Sequence, residues 1–444
     1  MKKMVVIGAG ESGFGAAVLA QTKGFDVLVS DNNAIDERYK SSLAEYKIRY
    51  EENGHTMQEV LAADEIIKSP GVPETVPIIE KAAENGIPVI SEIEFAGRYT
   101  NAKMICITGS NGKTTTTLWA YHILKNAGLN VGLAGNVGNS LAFQVATESF
   151  DYYVIELSSF QLDGMTDFKA DIAVLLNITP DHLDRYGFVF QNYINSKFRI
   201  LQNQDHNDVF IYFADDPVIK KEIARRSFAA QTIPYSAKDC LPEPSVCVNE
   251  NTIEFNLKNK FNMSVQDLAL HGSHNVYNSM AAGAIAQVLR IKKESIRDSL
   301  MDFKNVEHRL EPVIKVHGID FINDSKATNV NSAWFALESM NTKIIWIVGG
   351  IDKGNDYSQV YDLVKDKVKA IVCLGKDNSK IHKAFDGVVD HIVDTASMKD
   401  AVNSAYYLAR EGESVLLSPA CASFDLFENY EDRGNQFKNA VRSL

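Results

Sequence analysis

Residues 106–117, Cys-Ile-Thr-Gly-Ser-Asn-Gly-Lys-Thr-Thr-Thr-Thr, constrain this chain more than any other stretch. Residues 104–107 are expected to form a short buried strand and 115–126 a helix, which makes Gly109-Ser110-Asn111-Gly112-Lys113-Thr114 a strand-to-helix turn. Glycines in such a turn let backbone N–H groups close around phosphate oxygens, and the helix N-terminus adds positive partial charge. Lys113 can reach a terminal phosphate, and the Thr114 hydroxyl can ligate magnesium. The usual spacing puts a glycine five positions before Gly112, where Ile107 stands, so this is a shortened loop. The expected ligand is a nucleoside triphosphate; the bland alternative is a Gly-rich connection between strand and helix.

At 444 residues the chain is too long for one core and fits about two to four domains. Its net charge of −12 argues against a nucleic-acid binder that works by neutralising phosphates. An anionic substrate must therefore be held by local cations and metal. The 5 cysteines, Cys106, Cys240, Cys247, Cys373 and Cys421, are scattered and contain no C-x-x-C pair, so reduced thiols in a cytosol are expected rather than a disulfide frame or zinc site. Lys2-Lys3 precedes only a few apolar residues, and no run approaches a membrane span. The expectation is a cytoplasmic protein with no membrane insertion.

Strands are expected at 4–7, 25–30, 65–68 and 88–90, and helices at 13–23 and 77–85, which is a small parallel α/β domain. A second series opens at Lys103 and includes strands at 152–157, 172–177 and 209–213. Polar-punctuated strands at 252–257 and 265–270 suggest a β-rich insertion, followed by a helix at 274–290. Near Asn305 the pattern restarts, with a hairpin at 313–323, a helix after Asn329, and strands at 344–348, 370–374 and 414–417. The chain reads as three consecutive α/β domains: a Rossmann-like domain at 1–95, a P-loop-type mononucleotide-binding domain at 96–304, and a Rossmann-like domain at 305–444.

Gly8-Ala9-Gly10-Glu11-Ser12-Gly13 follows the first strand, and Asp31 ends the second. This is a dinucleotide fingerprint, with backbone N–H groups for a diphosphate and an acid for a ribose hydroxyl; the alternative is a turn made for helix–strand packing. Glu156, in Glu-Leu-Ser-Ser-Phe-Gln-Leu, ends a strand at the rim where open parallel sheets bind ligands, and it suits magnesium. His182, in Asp-His-Leu-Asp-Arg-Tyr, falls on the same rim. A lone histidine is more often structural, and Lys197, on a helix at 190–201, is by default a solvated lysine. Asp324-Ser325-Lys326-Ala327-Thr328-Asn329 contains a ready helix N-cap. A nucleophilic role for Cys421 is weak, because no histidine lies nearby in sequence.

Taken together, GSNGKTTTT at 109–117, ELSSFQL at 156–162, DHLDRY at 181–186, Lys197 in NSKFRI, HN at 274–275, HR at 308–309, DSKATN at 324–329, GG-x-DKG and SPACASFDLFENYEDRGNQF at 418–437 resemble the Mur ligase family over essentially the whole chain. DSKATN and the SPACAS block resemble the D-glutamate-adding branch. The resemblance implies peptidoglycan synthesis: ATP phosphorylates the L-alanine carboxylate of UDP-N-acetylmuramoyl-L-alanine, and the amine of D-glutamate then displaces phosphate.

For the nucleotide, the resemblance implies an ATP site of Gly109, Ser110, Asn111, Gly112, Lys113, Thr114, Thr115, Asn275, Arg309, Asp324 and Lys326. Two magnesium ions are held, one by Thr114 and Glu156 and the other by His182 and a carbamylated Lys197; Lys113, His182 and Lys197 are the catalytic set. The UDP-substrate is expected at Gly10, Glu11, Ser12, Gly13, Asp31, Asn136 and His182, and D-glutamate at Thr328, Lys353, Ser423 and Tyr430. A monomer is expected. At the uracil end, family members often present Thr-Arg after the acid, whereas here Asn32-Asn33 follow Asp31. A nicotinamide dehydrogenase would explain residues 8–31 but not Gly-Lys-Thr or the third domain, and a catalytically silent nucleotide-binding regulator would have lost a metal ligand.

Overall fold

The computed structural model describes residues 1–304, 306–352 and 354–444. Lys353 of the expected D-glutamate set and Asn305 at an expected domain boundary lie outside the described residues. The chain divides into two compact units. One comprises Met1–Pro180, Arg185–Asp267 and Tyr277–Met301; the other comprises Asp181–Asp184, Leu268–Val276 and Asp302–Leu444.

The first unit holds two sheets. In one, five parallel strands run in the order Arg49–Glu51, Asp26–Ser30, Lys3–Ile7, Glu65–Lys68, Val89–Ile90. Its central strand is buried from Met4 to Ile7, as a parallel strand covered on both faces must be. Glu11–Thr22 covers one face with Ala16, Ala17, Val18, Leu19 and Ala20 all buried. Arg49–Glu51, absent from the sequence expectation, is a polar three-residue edge strand with no apolar run to announce it.

The second sheet has nine strands. Lys103–Thr108 is an interior strand of it, third from one edge, between Tyr152–Glu156 and Ile172–Leu175, with parallel pairing on both sides. The distal strands Ser245–Asn249, Thr252–Asn256 and Phe261–Ser264 are antiparallel and extend this same sheet. The expected strand at 265–270 is not formed: Val265–Asp267 is a 3₁₀ turn. The alternation that builds the strand lies earlier, with Phe261 and Met263 buried and Asn262 exposed. The expectation of five reduced cysteines is also corrected. Cys240 and Cys247 are disulfide-bonded across 5.1 Å between Cα atoms, because the intervening loop returns the chain beside the strand that carries Cys247. Cys106, Cys373 and Cys421 are free and buried.

In the second unit, six strands run in the order Glu311–Val316, Ile319–Asn323, Ser414–Leu417, Ile344–Val348, Val368–Leu374, His391–Thr395, parallel except for the first hairpin. Tyr430–Arg442 packs Phe437 and Val441 into one face. Among the described residues, no helix is long and apolar enough to cross a membrane.

Within the first unit, one buried acid joins the two sheets' helical layers. Glu92 is 3% exposed, and its Oε1 accepts from the Ser140 hydroxyl at 2.7 Å and the Ala142 N–H at 2.6 Å. Burial, helped by the Glu11 carboxylate, pushes Glu92 up to about 7 against those two donors. The folded state therefore prefers a proton that the unfolded chain releases near 4.5. Its contribution is complete below that range and is lost as pH rises through about 7, amounting to up to about 3 kcal/mol. Glu92→Gln should flatten the loss of unfolding free energy between pH 5 and 9. Parallel pH trends in denaturant titrations of the two proteins would rule out Glu92 as the source.

Candidate active site

The strand Lys103–Thr108 delivers the phosphate-type turn, and the helix Lys113–Asn126 begins two residues earlier than the expected 115, so that Lys113 opens it. Two glycines have positive φ, 156° at Gly109 and 80° at Gly112. A Cβ at Gly112 would stand 2.5 Å from Asn278 Oδ1, so both the backbone conformation and the close approach require glycine.

The turn is sewn to the end of the neighbouring strand by Asn177. Its Oδ1 accepts from Asn111 N–H at 2.8 Å, its Nδ2 donates to Asn111 O at 3.0 Å, and its carbonyl accepts from Ser110 N–H at 2.9 Å. The Ser110 hydroxyl donates to Thr179 O at 2.9 Å. Lys113 Nζ donates to the carbonyls of Gly109 and Ser110 at 2.9 and 2.8 Å, which sets the ammonium over the turn. Thr114 and Thr115 are buried in the first helical turn.

Beside this turn lies Glu156, 1% exposed at the carboxyl end of its strand. Its Oε1 accepts from Asn136 Nδ2 at 2.8 Å, whereas its Oε2 is buried and has no hydrogen-bond partner among the described residues. A buried carboxylate oxygen without a donor is costly unless a cation meets it. With the Thr114 hydroxyl on the adjacent turn, the donor set is all oxygen and fits magnesium. Asn136, expected at the substrate, thus also orients this carboxylate.

Lys197 is 1% exposed, which removes the solvated-lysine alternative. Its Nζ donates to Thr108 Oγ1 at 3.1 Å, and that hydroxyl donates to Leu157 O at 2.7 Å. The lysine therefore ends on the strand that feeds the phosphate-type turn. His182 has a φ of 51°, and its Nε2 lies 3.7 Å from Asp181 Oδ2, which accepts from Asn329 Nδ2 at 3.3 Å.

At the first sheet, a cavity of about 850 Å³ is lined by Gly10, Ser12, Asp31, Asn32, Asn33 and His55, among others. The glycines divide the labour. A Cβ at Gly10 meets nothing within 4 Å, whereas one at Gly13 would fall 1.9 Å from Gly8 O. Gly10 leaves room for a ligand, and Gly13 permits helix–strand packing. Asp31 Oδ2 accepts from Ala9 N–H at 2.8 Å and Oδ1 from Asn33 N–H at 2.9 Å, fixing the cavity's rim. The Glu11 side chain turns elsewhere, accepting from Tyr39 OH at 3.2 Å and Ser140 N–H at 3.4 Å.

In the C-terminal unit, Asn275 Nδ2 donates to His271 O at 2.8 Å in the first turn of its helix. Arg309 sits between His308 and Leu310, whose φ values are 61° and 43°. Such backbone persists only when its surroundings hold it. Asp324 supplies part of that hold: Oδ1 accepts from Leu310 N–H at 3.2 Å and Oδ2 from Ser418 Oγ at 2.8 Å. Burial pushes the Asp324 carboxyl up to about 6, with Arg309 acting in the opposite direction. Lys326 Nζ stands 5.2 Å over the Tyr430 ring. Thr328 is half-buried and Ser423 is buried.

Arg433 was given no role by the sequence reading, yet it joins the DSKATN and SPACAS loops. It is 1% exposed and donates from Nε to Ser325 Oγ at 3.0 Å, from Nη2 to Ser325 O at 2.8 Å and from Nη1 to Cys421 O at 3.1 Å. Its guanidinium is pulled down to about 10 by burial. The only sequence signal was an arginine among apolar helix positions. Asn177 was similarly missed, and its signal was an amide at a strand end beside the phosphate-type turn.

The chain matches known proteins along its whole length. The Mur ligase MurD-like N-terminal domain matches residues 2–91, the Mur ligase middle domain 107–286, and the Mur ligase glutamate ligase domain 308–421. Proteins named UDP-N-acetylmuramoylalanine--D-glutamate ligase are 59% identical in Bacteroides fragilis, over 100% of both chains, and 56% identical in Porphyromonas gingivalis, over 99% of this chain and 98% of the relative. Among solved structures, UDP-N-acetylmuramate-alanine ligase MurC from Thermotoga maritima superposes with a TM-score of 0.66 at 19% identity over 100% of both chains. A pseudomurein peptide ligase type C from Methanothermus fervidus gives 0.64 at 21%, also over 100% of both chains. The structures agree in fold, the relatives in sequence from end to end, and the phosphate-type turn, buried glutamate and buried lysine fall inside the matched middle domain: the chain belongs to the Mur ligase family.

Proposed function

We propose that this chain is an ATP-dependent ligase that adds D-glutamate to UDP-N-acetylmuramoyl-L-alanine in peptidoglycan synthesis. The observation that carries the reading is the partnerless buried Oε2 of Glu156 beside the turn of Gly109 to Thr114. The full-length identity to proteins of that name supports the choice of substrates. We assign residues 1–95 to the UDP-substrate, 96–304 to ATP and 305–444 to the incoming amino acid.

A carboxylate resists an amine because its charge repels nucleophiles and its oxygen leaves poorly. Transfer of the γ-phosphoryl group to the L-alanine carboxylate gives an acyl phosphate, and phosphate then leaves as the D-glutamate amine attacks. Phosphoryl transfer depends on positioning and charge neutralisation. Lys113 and the backbone of residues 109–114 bind the phosphates. Thr114 and Glu156 would hold one magnesium ion, and His182 and Lys197 a second. Magnesium bound there would supply charge neutralisation at the transferred group. Carbamylation turns the Lys197 ammonium, unsuited to a cation, into an oxygen ligand; its burial against Thr108 supports this. Asn275, Arg309, Asp324 and Lys326 serve the nucleotide, with Asp324 acting in part by holding the Arg309 loop. Thr328, Lys353, Ser423 and Tyr430 serve D-glutamate.

The direct test is phosphate release from ATP with UDP-N-acetylmuramoyl-L-alanine and a panel of D- and L-amino acids. D-Glutamate should be the preferred donor, and preference for L-alanine or a diamino acid would overturn the assignment. Lys197→Ala should lower kcat by about 10²–10³-fold, the size of losing one transition-state stabilising group. A short-chain carboxylate added to the assay should restore part of it; full activity without additive would exclude the carbamate.

Gly10→Val should keep the wild-type unfolding temperature, since a Cβ there meets no described residue beyond its chain neighbours within 4 Å. It should weaken UDP-substrate binding by roughly 10–100-fold, the equivalent of one charge-assisted hydrogen bond. Asn33→Ala should cost much less. Calorimetry decides between them, and a larger loss for Asn33→Ala would show that a side chain rather than the glycine turn anchors the nucleotide.

A further inference from the structure

We propose that Cys373, His382 and Asp394 form a binding site for a zinc-class divalent metal on the carboxyl rim of the C-terminal sheet. Cys373 lies near the end of the strand Val368–Leu374, and Asp394 is its register partner in the adjacent parallel strand His391–Thr395. Register partners in a sheet project from the same face. The helix Ser379–Phe385 covers that face, burying Ile381 and Phe385, and brings His382 to the rim. One ligand atom from each of the three residues lies within 4.8 Å of the other two. His382 Nε2 stands 3.1 and 3.0 Å from the two Asp394 oxygens.

The ligands are held from behind, as metal sites require. Asn378 Nδ2 donates to Asp394 Oδ1 at 2.9 Å, and Thr395 Oγ1 donates to the Cys373 carbonyl at 2.7 Å. A thiolate, an imidazole and one carboxylate select zinc or cobalt over magnesium or calcium, which take oxygen donors. The His382 and Asp394 side chains are 39% and 57% exposed, so the metal has an entry path and a fourth coordination position facing solvent. Binding replaces the thiol proton: the Sγ–H bond breaks, the sulfur lone pair forms the metal bond, and the proton passes to solvent. The imidazole keeps its own proton on Nδ1 and coordinates through Nε2. None of these residues belongs to the phosphate-type turn or to its expected ligands, so this site is separate from the one proposed for magnesium.

Cobalt titration of the full-length protein tests the site, without reductant so that Cys240–Cys247 stays bonded. Expected is a thiolate-to-cobalt charge-transfer band that saturates at one equivalent, is displaced by zinc, and is unaffected by magnesium. The oxygen-rich site proposed for magnesium contains no thiol and cannot produce that band. Cys373→Ser should abolish it. Because substitution of a buried residue can unfold a domain, His382→Ala is the second variant: it should weaken zinc by at least about 10-fold with an unchanged unfolding temperature in metal-free buffer. No charge-transfer band in the wild type, a band surviving in folded Cys373→Ser, or unchanged zinc affinity in His382→Ala would each overturn the proposal.

Discussion

The geometry around the phosphate-type turn depends on one side chain from outside it. A turn missing the usual first glycine, with Ile107 in its place, has fewer backbone groups of its own to wrap a phosphate and less to hold it in shape. Asn177 closes a ring of hydrogen bonds onto both the N–H and the carbonyl of Asn111 and onto the N–H of Ser110. Each such bond contributes only about 1 kcal/mol net. Their joint effect is to fix two successive peptide planes before any ligand arrives. Lys113, Thr114 and the start of the helix inherit their positions from that knot. Preorganisation of this kind is what phosphoryl transfer asks of a protein.

Burial of charge marks the places where this fold gives up stability. Glu156, Lys197, Asp324 and Arg433 are each at most 2% exposed, and an apolar residue of similar volume at any of them would be cheaper to bury. Three have hydrogen-bond partners for the atoms that carry the charge. Glu156 is the exception, with one oxygen satisfied by Asn136 and the other by none of the described residues. That asymmetry leaves Glu156 one carboxylate oxygen for a cation. Both Asp324 oxygens are taken by Leu310 and Ser418, which accounts for its part in holding the Arg309 loop.

The sequence made legible what is local. The apolar runs at 4–7, 104–107 and 344–348 became central parallel strands, because a strand buried on both faces must be apolar throughout. The Gly-Lys-Thr turn, the strand-end Glu156 and the two glycines at 10 and 13 were visible as residue types at fixed spacings. What was not legible is what depends on pairing across distance. The burial of Lys197 follows from Thr108, far away in sequence, and no feature of NSKFRI separates it from a surface lysine. The Cys240–Cys247 bond arises from a loop whose return path no spacing encodes. The polar edge strand Arg49–Glu51 has no hydrophobic alternation because none of its three residues is buried.

In the C-terminal unit the same reasoning accounts for a set of backbone conformations that would not persist alone. Ala420 has a φ of 58°, and Gly350 is so close to Ala422 O that a Cβ would stand 2.2 Å away. Asn355 Nδ2 donates to Ala420 O at 3.0 Å, and Ile351 and Ala422 exchange backbone hydrogen bonds at 2.9 and 3.2 Å. Arg433 adds the third tie, from Cys421 O to Ser325. Three loops from different strand ends are thus held mutually rather than each by its own turn. Strained backbone of this kind costs about 1–3 kcal/mol per residue and survives only where the surroundings over-determine it. Arg433 ties two of these loops, at Ser325 and Cys421, and Ile351 and Asn355 tie the third to them, so the set is held at the cost of burying a guanidinium.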